Sequence, residues 1–193
     1  MKITKLSKKG PELILKIEDT EPVFMNTLRR MISSEVPTMA VEEVEIVQNN
    51  SVLYDEMLGH RLGLMPLTTD LKSYNERKTC TCDGEGCAKC TLSLTLQEKG
   101  PKTVYAKDIK TKDPKVKPVH DDTPLLTLLE GQEVEFEARA TLGRGRDHIK
   151  WSPGLVYYKE IPFLEIKKDK AEVLKAIKAA GDEIEESKDG IKI

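Results

Sequence analysis

The 193-residue sequence predicts an α+β fold in which a few helices are set among blocks of strands. Apolar residues recur at helical spacing between residues 20 and 37 and again between 51 and 67. In several other segments apolar residues occupy every second position, which is the spacing of a strand with one buried face. Several strands follow the second helix, and no internal repeat or low-complexity tract is present. This order is typical of α+β proteins.

A strand and then a helix open the chain. Apolar residues at every second position of 13–17 predict a half-buried strand. The helix is predicted to begin at Thr20, whose hydroxyl suits an N-cap, and to end before Pro37, which keeps Val36 out of helical geometry. Pro22 suits the first turn, where no amide donor is needed.

This first helix carries an apolar stripe. Positions i, i+4, i+7 and i+8 share one face of a helix. Here they are occupied by Phe24, Leu28, Met31 and Ile32. Arg29 and Arg30 project away from the stripe. Spacing alone favours the simplest interpretation, a core helix with two solvated arginines, and does not tell what the stripe contacts.

The strand period returns at residues 44–46 and is broken at 49–51. A second helix is predicted at 51–67, because apolar residues recur at i, i+4 and i+7 and Pro66 stops the helix. We expect His60 on this helix to be a packed or surface histidine, because no cysteine or second histidine lies within helical reach of it.

The second half of the chain is predicted to consist mainly of strands. Their period is seen at 92–96, 104–106 and 134–140, and a further strand is predicted at 154–160. A loop rich in Lys, Asp and Pro is expected at 107–118, and 124–129 is a short apolar segment before a turn at Gly131. A last helix is predicted from Asp169 to about Gly181, followed by a turn at residues 189–190.

Composition and charge exclude several classes of protein. The hydrophobic content of 38% is ordinary for a globular protein. With 31 basic and 33 acidic residues, the chain has no global field that would attract nucleic acid or an anionic membrane. No apolar run approaches the ~20 residues of a membrane span, and no signal-peptide core follows Met1. We therefore expect a cytoplasmic protein without a membrane partner.

The strongest chemical signal is a cluster of four cysteines within residues 80–90. They are Cys80, Cys82, Cys87 and Cys90. Four thiolates can close a tetrahedral shell around zinc, and Gly84 and Gly86 let the intervening loop fold back so that the two pairs converge. Such a shell leaves no position for water or substrate, so we expect a structural zinc site.

Other interpretations of the cysteine cluster remain open. An iron–sulfur cluster also uses four thiolates, although the common ferredoxin spacing differs from this one. Cys87 and Cys90 have the spacing of a redox dithiol but lack a thioredoxin-like context. Cysteines without any ligand are a further alternative, whereas disulfides are disfavoured in a cytoplasmic chain.

The sequence shows no pattern typical of an active site. Residues 143–146 read Gly-Arg-Gly-Arg, which could bind phosphate, but they lack a Walker lysine motif and the dinucleotide glycine spacing. No nucleophile, base and orienting residue stand at a recognisable spacing, and no aspartate triad for magnesium ions is visible. We therefore expect no catalysis by this chain alone.

Three stretches of the sequence resemble one protein family. Residues 26–46 contain Asn-Thr-Leu-Arg-Arg, Ser-Ser-Glu-Val-Pro and Ala-Val-Glu-Glu-Val-Glu-Ile, and residues 53–67 contain Asp-Glu-Met-Leu-Gly-His-Arg-Leu-Gly-Leu-Met-Pro-Leu. Residues 142–153 contain a Gly-x-Gly loop at 143–145, which is followed in the sequence by a histidine, a lysine, a tryptophan and a proline. These stretches resemble the alpha-type subunits of cellular RNA polymerases. The closest likeness is to the archaeal members of this family, which are related to the bacterial alpha subunit and the eukaryotic third-largest subunit.

The resemblance implies a non-catalytic assembly subunit of a DNA-directed RNA polymerase whose active site lies on other subunits. In this family the first helix pairs with a small alpha-like subunit, subunit L in archaea. The heterodimer then recruits small zinc-bearing subunits and the second-largest catalytic subunit, and DNA is contacted only through the complex. The implied architecture is a discontinuous dimerisation domain, residues 1–47 and 154–193, with an inserted mostly-β domain, residues 48–153, that holds the four-cysteine loop.

Two sets of partner contacts follow from the resemblance. The subunit interface is expected to comprise the apolar stripe of the first helix together with Asn26, Arg29 and Arg30. A loop that faces larger subunits is expected to comprise Arg144, Arg146, His148, Lys150 and Trp151.

The C-terminal segment departs from the family. Alpha-type subunits generally return to the dimerisation domain with a further strand and a long helix, whereas only residues 161–193 remain here. Residues 170–193 either supply a shortened return or faintly resemble the ferredoxin-like insert of some archaeal relatives. Without cysteines they can carry no iron–sulfur cluster. An independent zinc-containing nucleic-acid-binding module is the alternative function, and balanced charge and few aromatic residues count against it.

Overall fold

The computed structural model describes residues 1–161 in full. Beyond them it describes the backbone of three short strands, β9 Phe163–Leu164, β10 Glu185–Ser187 and β11 Gly190–Lys192. The chain divides into two compact units, Met1–Val156 and Tyr157–Ile193. The predicted helix from residue 169 lies outside the described residues, and so does the first residue of the predicted turn at 189–190.

The first unit contains two helices and eight strands among its described residues. The helices are α1 Pro22–Glu35 and α2 Asp55–Leu64. The strands are β1 Lys2–Lys9, β2 Glu12–Glu18, β3 Thr38–Asn49, β4 Thr91–Lys99, β5 Lys102–Tyr105, β6 Lys110–Thr111, β7 Pro124–Leu128 and β8 Glu133–Gly143. The α+β class predicted from the sequence is confirmed. No helix in the described part of the chain is long and apolar enough to cross a membrane.

The hydrophobic core is built on a four-stranded antiparallel sheet in the order β3-β8-β4-β6. The central strand β8 pairs with β3 on one side and with β4 on the other, so that Phe136 lies opposite both Ile46 and Leu96. The alternating residues predicted for β4 and β8 are buried, which confirms the predicted strand period. Leu58 and Leu62 of α2 are fully buried in the same core, and β5 and β7 form a separate two-stranded ladder.

The N-terminal region differs from this core because its apolar side chains stay exposed. β1 and β2 form an antiparallel hairpin in which Leu13 and Leu15 are exposed, so β2 is less buried than its period predicts. Helix α1 contributes no buried residue. Within its stripe, Phe24 is 46% and Met31 55% exposed. The predicted amphipathic helix is therefore present, but its apolar face is not part of the core.

Several predicted helix and loop boundaries are corrected by the structure. The N-cap of α1 is Glu21 rather than Thr20, and its side chain makes no capping hydrogen bond. The predicted loop at 107–118 contains β6 and the end of a 3₁₀ turn, Ala106–Asp108. Helix α2 is shorter than the predicted 51–67. β3 crosses the predicted domain boundary at residue 47 and stays paired with β8 on both sides of it.

The predicted strand at 154–160 is wrong. These residues form neither helix nor strand, although residues 155–158 are all aliphatic or aromatic. Leu155 is 91% and Tyr157 75% exposed. Because a strand needs a partner edge for its backbone hydrogen bonds, an apolar run without such a partner does not produce one.

Candidate functional site

Four thiol groups come together in the segment that leads into β4. Their sulfur atoms all lie within 4.8 Å of one another. The Sγ atom of Cys80 is 3.6 Å from that of Cys87, and the Sγ atom of Cys82 is 3.6 Å from that of Cys90. Cys80 and Cys90 are buried, whereas Cys82 and Cys87 are partly exposed. The cysteines predicted to converge therefore do so.

The sulfur separations fit a tetrahedral metal site. With metal–sulfur distances of about 2.3 Å, neighbouring sulfurs of a tetrahedral shell lie about 3.8 Å apart. The third close pair, Cys87 and Cys90, has a sulfur separation of 3.9 Å. The donor set consists of thiols alone, which suits zinc, copper(I) and iron–sulfur clusters better than hard cations. The four cysteines can therefore hold a metal.

The backbone of the cysteine segment explains how the pairs meet. Gly84 and Gly86 have φ values of +87° and +97°, in the left-handed region that is open to glycine without steric cost. The amide of Asp83 donates a hydrogen bond to the carbonyl oxygen of Cys80 at 3.2 Å, which reverses the chain. The loop between the two cysteine pairs thus folds back, as its two glycines predict.

The thiols influence one another's ionisation. A hydrogen bond from the backbone amide of Gly86 is the main cause that lowers the pKa of Cys82, to about 6. The amide of Cys82 acts in the same direction on Cys80, but burial and the neighbouring thiols raise the pKa of Cys80 to about 11. Cys82 therefore ionises more readily than Cys80. A bound cation would favour the thiolate form of both.

Arg77 ties the cysteine segment to the main sheet. Its Nε atom donates to the carbonyl oxygen of Gly84 at 2.8 Å, and its Nη1 atom donates to Oε1 of Glu43 at 3.0 Å. Glu43 lies on β3, and the hydrogen bond from Arg77 lowers the pKa of its carboxyl group. The guanidinium group thus holds the loop in place and brings positive charge close to Cys82 and Cys90.

The Gly-x-Gly loop needs its glycines for close packing. A Cβ atom on Gly143 would lie 2.3 Å from the ring of Trp151, which is buried and donates through Nε1 to the carbonyl oxygen of Thr141 at 3.2 Å. A Cβ atom on Gly145 would lie 2.1 Å from the carbonyl oxygen of Ser33, near the end of α1. The sequence does not predict this role, because the close approach involves residues that are distant along the chain.

The two arginines of this loop contact acidic residues of the same chain. Arg144 donates from Nη1 to Glu35 at 3.1 Å and from Nε and Nη2 to one carboxylate oxygen of Glu76, at 3.0 and 2.7 Å. The hydrogen bond to Glu76 is the main cause that raises the pKa of Arg144. Arg146 donates to Glu35 at 3.3 Å, and its backbone amide donates to the carbonyl oxygen of Ser34 at 3.2 Å. Neither pairing follows from the sequence, because Glu35 lies in the Ser-Ser-Glu-Val-Pro stretch without an assigned partner and Glu76 belongs to no motif.

The remaining residues predicted for the partner-facing loop lie around a short 3₁₀ turn, Ile149–Trp151. Lys150 forms an ion pair with Glu42 of β3, and its Nζ atom lies 4.4 Å from the centre of the Trp151 ring. His148 is exposed, and its Nδ1 atom accepts a hydrogen bond from the amide of Lys150 at 3.1 Å. The loop therefore has an internal packing role, while Arg146 and His148 present polar atoms to solvent.

The polar residues predicted for the subunit interface lie on α1. Arg29 donates from Nη2 to Oδ1 of Asn26 at 2.9 Å, one turn earlier on the same helix. Arg30 is exposed, and its carbonyl oxygen accepts a hydrogen bond from the hydroxyl of Ser34 at 2.7 Å. These side chains and the apolar stripe are all carried by one helix.

Replacing Gly143 with alanine is expected to displace Trp151, because the new methyl group would occupy the position of the ring. The cost should be about 1–3 kcal/mol of unfolding free energy, as for other overpacked sites. Trp151 is the single tryptophan of the chain, so its fluorescence emission should shift to longer wavelength and the urea midpoint should fall. Gly154→Ala is the matched control, since its Cβ atom would meet nothing within 4 Å. Unchanged emission and midpoint in Gly143→Ala would contradict the packing described here.

Comparisons with known proteins agree with the fold, and the matched region includes the cysteine segment and the Gly-x-Gly loop. Residues 39–156 match the model of the RNA polymerase Rpb3/RpoA insert domain. This region contains the main sheet, the cysteine segment and the Gly-x-Gly loop. The chain therefore belongs to the family of alpha-type RNA polymerase subunits that contain this insert domain.

Individual relatives carry the name DNA-directed RNA polymerase subunit Rpo3. The one from Methanosphaera stadtmanae is 43% identical over 88% of this chain and 65% of its own length. The one from Pyrococcus furiosus is 40% identical over 96% of this chain and 70% of its own length. The one from Pyrobaculum calidifontis is 45% identical over 79% of this chain and 60% of its own length. The matched part of the chain thus spans between 60% and 70% of these curated relatives.

Proposed function

We propose that the protein is a non-catalytic assembly subunit of an archaeal DNA-directed RNA polymerase, the alpha-type subunit, and that α1 pairs with a small alpha-like subunit, subunit L. One observation carries this proposal. In the apolar stripe of α1, Phe24 and Met31 are exposed and Leu28 and Ile32 are only partly buried, whereas the main sheet has a core of its own. Exposed apolar patches of this kind typically mark protein–protein contacts. The family membership and the names of the relatives support it.

The proposed organisation is discontinuous. Residues 1–47 and 154–193 form the dimerisation domain, and residues 48–153 form the inserted domain. β3 joins the two, since it follows α1 directly and is paired with β8. The exposed apolar side chains of the β1–β2 hairpin support this assignment, because a dimerisation domain must present apolar surface to its partner.

Further partners are proposed for the inserted domain. The pair recruits small zinc-bearing subunits and the second-largest catalytic subunit, with the exposed side of the Gly-x-Gly loop, including Arg146 and His148, in contact with them. The active site lies on other subunits, DNA is reached only through the complex, and the assembly is cytoplasmic. No membrane partner is proposed.

The metal is proposed to be zinc in a structural role. Cys80, Cys82, Cys87 and Cys90 would supply all four ligands, which leaves no position for water or substrate. When bound, zinc would cross-link the segment before β4. Arg77 would hold the loop and offset part of the negative charge of the thiolates. No iron–sulfur cluster is proposed for residues 162–193, which contain no cysteine.

The alternative, an independent zinc-containing nucleic-acid-binding module, is disfavoured by charge. A groove of about 620 Å³ beside the cysteine segment is lined by Arg77 and Arg139 but also by Glu43, Glu85 and Glu137. Phosphate backbones are bound by surfaces with one sign of charge. A groove with interspersed carboxylates does not provide such a surface.

Co-expression with a small alpha-like polymerase subunit tests the proposal. We expect a stable complex with one copy of each chain, whose mass is measured by light scattering after size-exclusion chromatography. The chain expressed alone is the control for self-association. A chain that stays alone in the presence of the small subunit but binds double-stranded DNA would favour the alternative instead. Metal analysis of the same fractions tests for stoichiometric zinc.

A further inference from the structure

We propose that Arg144 is a positioning residue that links the pairing helix α1 to the four-cysteine segment through Glu35 and Glu76. Through this link the state of the cysteine segment sets the orientation of α1. The consequence for subunit pairing rests on the function proposed above, whereas the link itself is a property of this chain.

The first step is the contact geometry. One guanidinium group reaches two carboxylates that belong to separate segments, Glu35 at 3.1 Å and Glu76 at 2.7 Å. The side chain of Arg144 is 31% exposed, so these contacts are only partly screened by water. Hydrogen bonds between charged groups are stronger than neutral ones, and the planar guanidinium group fixes the directions of its donors.

The second step is the position of the two carboxylates. Glu35 is the last residue of α1. Glu76 directly precedes the 3₁₀ turn Arg77–Thr79, and that turn ends at Cys80. The next residue, Arg77, is held by Gly84 and Glu43. A shift of the turn that leads into Cys80 therefore moves the carboxylate of Glu76, which Arg144 binds.

The third step concerns what holds α1. The helix has no fully buried side chain, so contacts at its ends contribute to its orientation beside those of its partly buried residues. At its C-terminal end Arg146 donates from its backbone amide to Ser34 and from its side chain to Glu35. Arg144 adds to these the connection to Glu76, which neither contact of Arg146 provides.

Amide hydrogen exchange, measured by mass spectrometry on the 193-residue chain, tests the link. In Arg144→Gln and in Glu76→Gln, exchange in the last turn of α1 should be about 1.5- to fivefold faster than in the unmodified chain, the range expected for loss of a partly exposed ion pair. Lys102→Gln is the matched control, because Lys102 pairs with Glu98 and the two side chains are 38% and 26% exposed, close to the 31% and 24% of Arg144 and Glu76. It should leave α1 unchanged. Exchange in β4 and β8 serves as the internal reference for folding.

A double variant separates positioning from general loosening of the loop. Arg144→Gln combined with Glu76→Gln should exchange no faster in α1 than Arg144→Gln alone, because both variants remove the contact between Arg144 and Glu76 and Arg144→Gln also removes the contact with Glu35. Arg144→Lys keeps the positive charge but loses the planar guanidinium group and its fixed donors. Its exchange rate in α1 should lie between those of the unmodified chain and Arg144→Gln. Unchanged α1 exchange in Glu76→Gln, or additive effects in the double variant, would overturn the proposal.

Removing the metal distinguishes the proposed zinc site from the proposed link through Arg144. Chelation should accelerate α1 exchange in the zinc-loaded chain and have no further effect in Arg144→Gln. If metal analysis finds no zinc in the unmodified chain, the zinc site is refuted, and the variants above still decide the role of Arg144. If zinc is bound but its removal leaves α1 unchanged, the coupling is refuted while the zinc site stands.

Discussion

Replacing Leu28 and Met31 together with glutamate is expected to abolish pairing with a small alpha-like polymerase subunit. Pairing would bury both positions, and a carboxylate that enters an apolar interface loses its hydration without gaining a partner. A loss of at least about 3 kcal/mol corresponds to a dissociation constant more than about a hundredfold higher. The fold should survive, because α1 contributes no buried side chain. Light scattering of the co-expressed chains provides the measurement.

The matched control lies on the other helix. Met57 and Leu64 of α2 are 49% and 47% exposed, close to the 55% of Met31 on α1. Replacing Met57 and Leu64 with glutamate introduces the same charges at apolar, exposed helical positions, and we expect pairing to persist. If the α1 variant still forms the heterodimer, or if the α2 variant loses it equally, the stripe of α1 is not the pairing surface.

Replacing Cys90 with serine is expected to lower the zinc affinity of the chain. The thiol of Cys90 is fully buried and close to two other thiols. If four ligands share a binding free energy of about 10–16 kcal/mol, loss of one costs about 2.5–4 kcal/mol, on the order of a hundredfold in affinity. Amide exchange in residues 76–90 should rise, whereas β8 should stay protected. Competition with a chromophoric chelator gives the affinity.

Two further measurements complete this test. Thr81→Ser, which changes an exposed side chain between two of the cysteines, is the control and should bind zinc like the unmodified chain. Zinc affinity should fall as the pH falls, because binding must displace thiol protons, and the pKa of Cys80 is raised to about 11. Unmodified protein that contains no stoichiometric metal would refute the site.

Features that depend on residues close in sequence were predicted well. The stripe of α1 follows from spacing within one helix, and the cysteine cluster follows from four ligands within one short segment. In both cases the relevant neighbours lie within a few residues of one another, so helical periodicity and glycine conformations are sufficient to bring them together.

The segment 154–160 shows the limit of such reasoning. Its apolar run at residues 155–158 fits a strand, yet the described residues provide no partner for it, and Leu155 is almost fully exposed. Whether an apolar segment becomes a strand depends on a free sheet edge elsewhere in the chain. A local pattern contains no information about that edge.

The sequence by itself determined the α+β class, the amphipathic helix and the convergence of four thiols, because each depends on short-range geometry. Only the tertiary structure decided that the apolar stripe stays outside the core and that Arg144 bridges Glu35 and Glu76, which lie 109 and 68 residues away along the chain. It also decided why Gly143 and Gly145 must be glycines. Contacts over such separations depend on how strands pair and loops dock, and no local period specifies that arrangement.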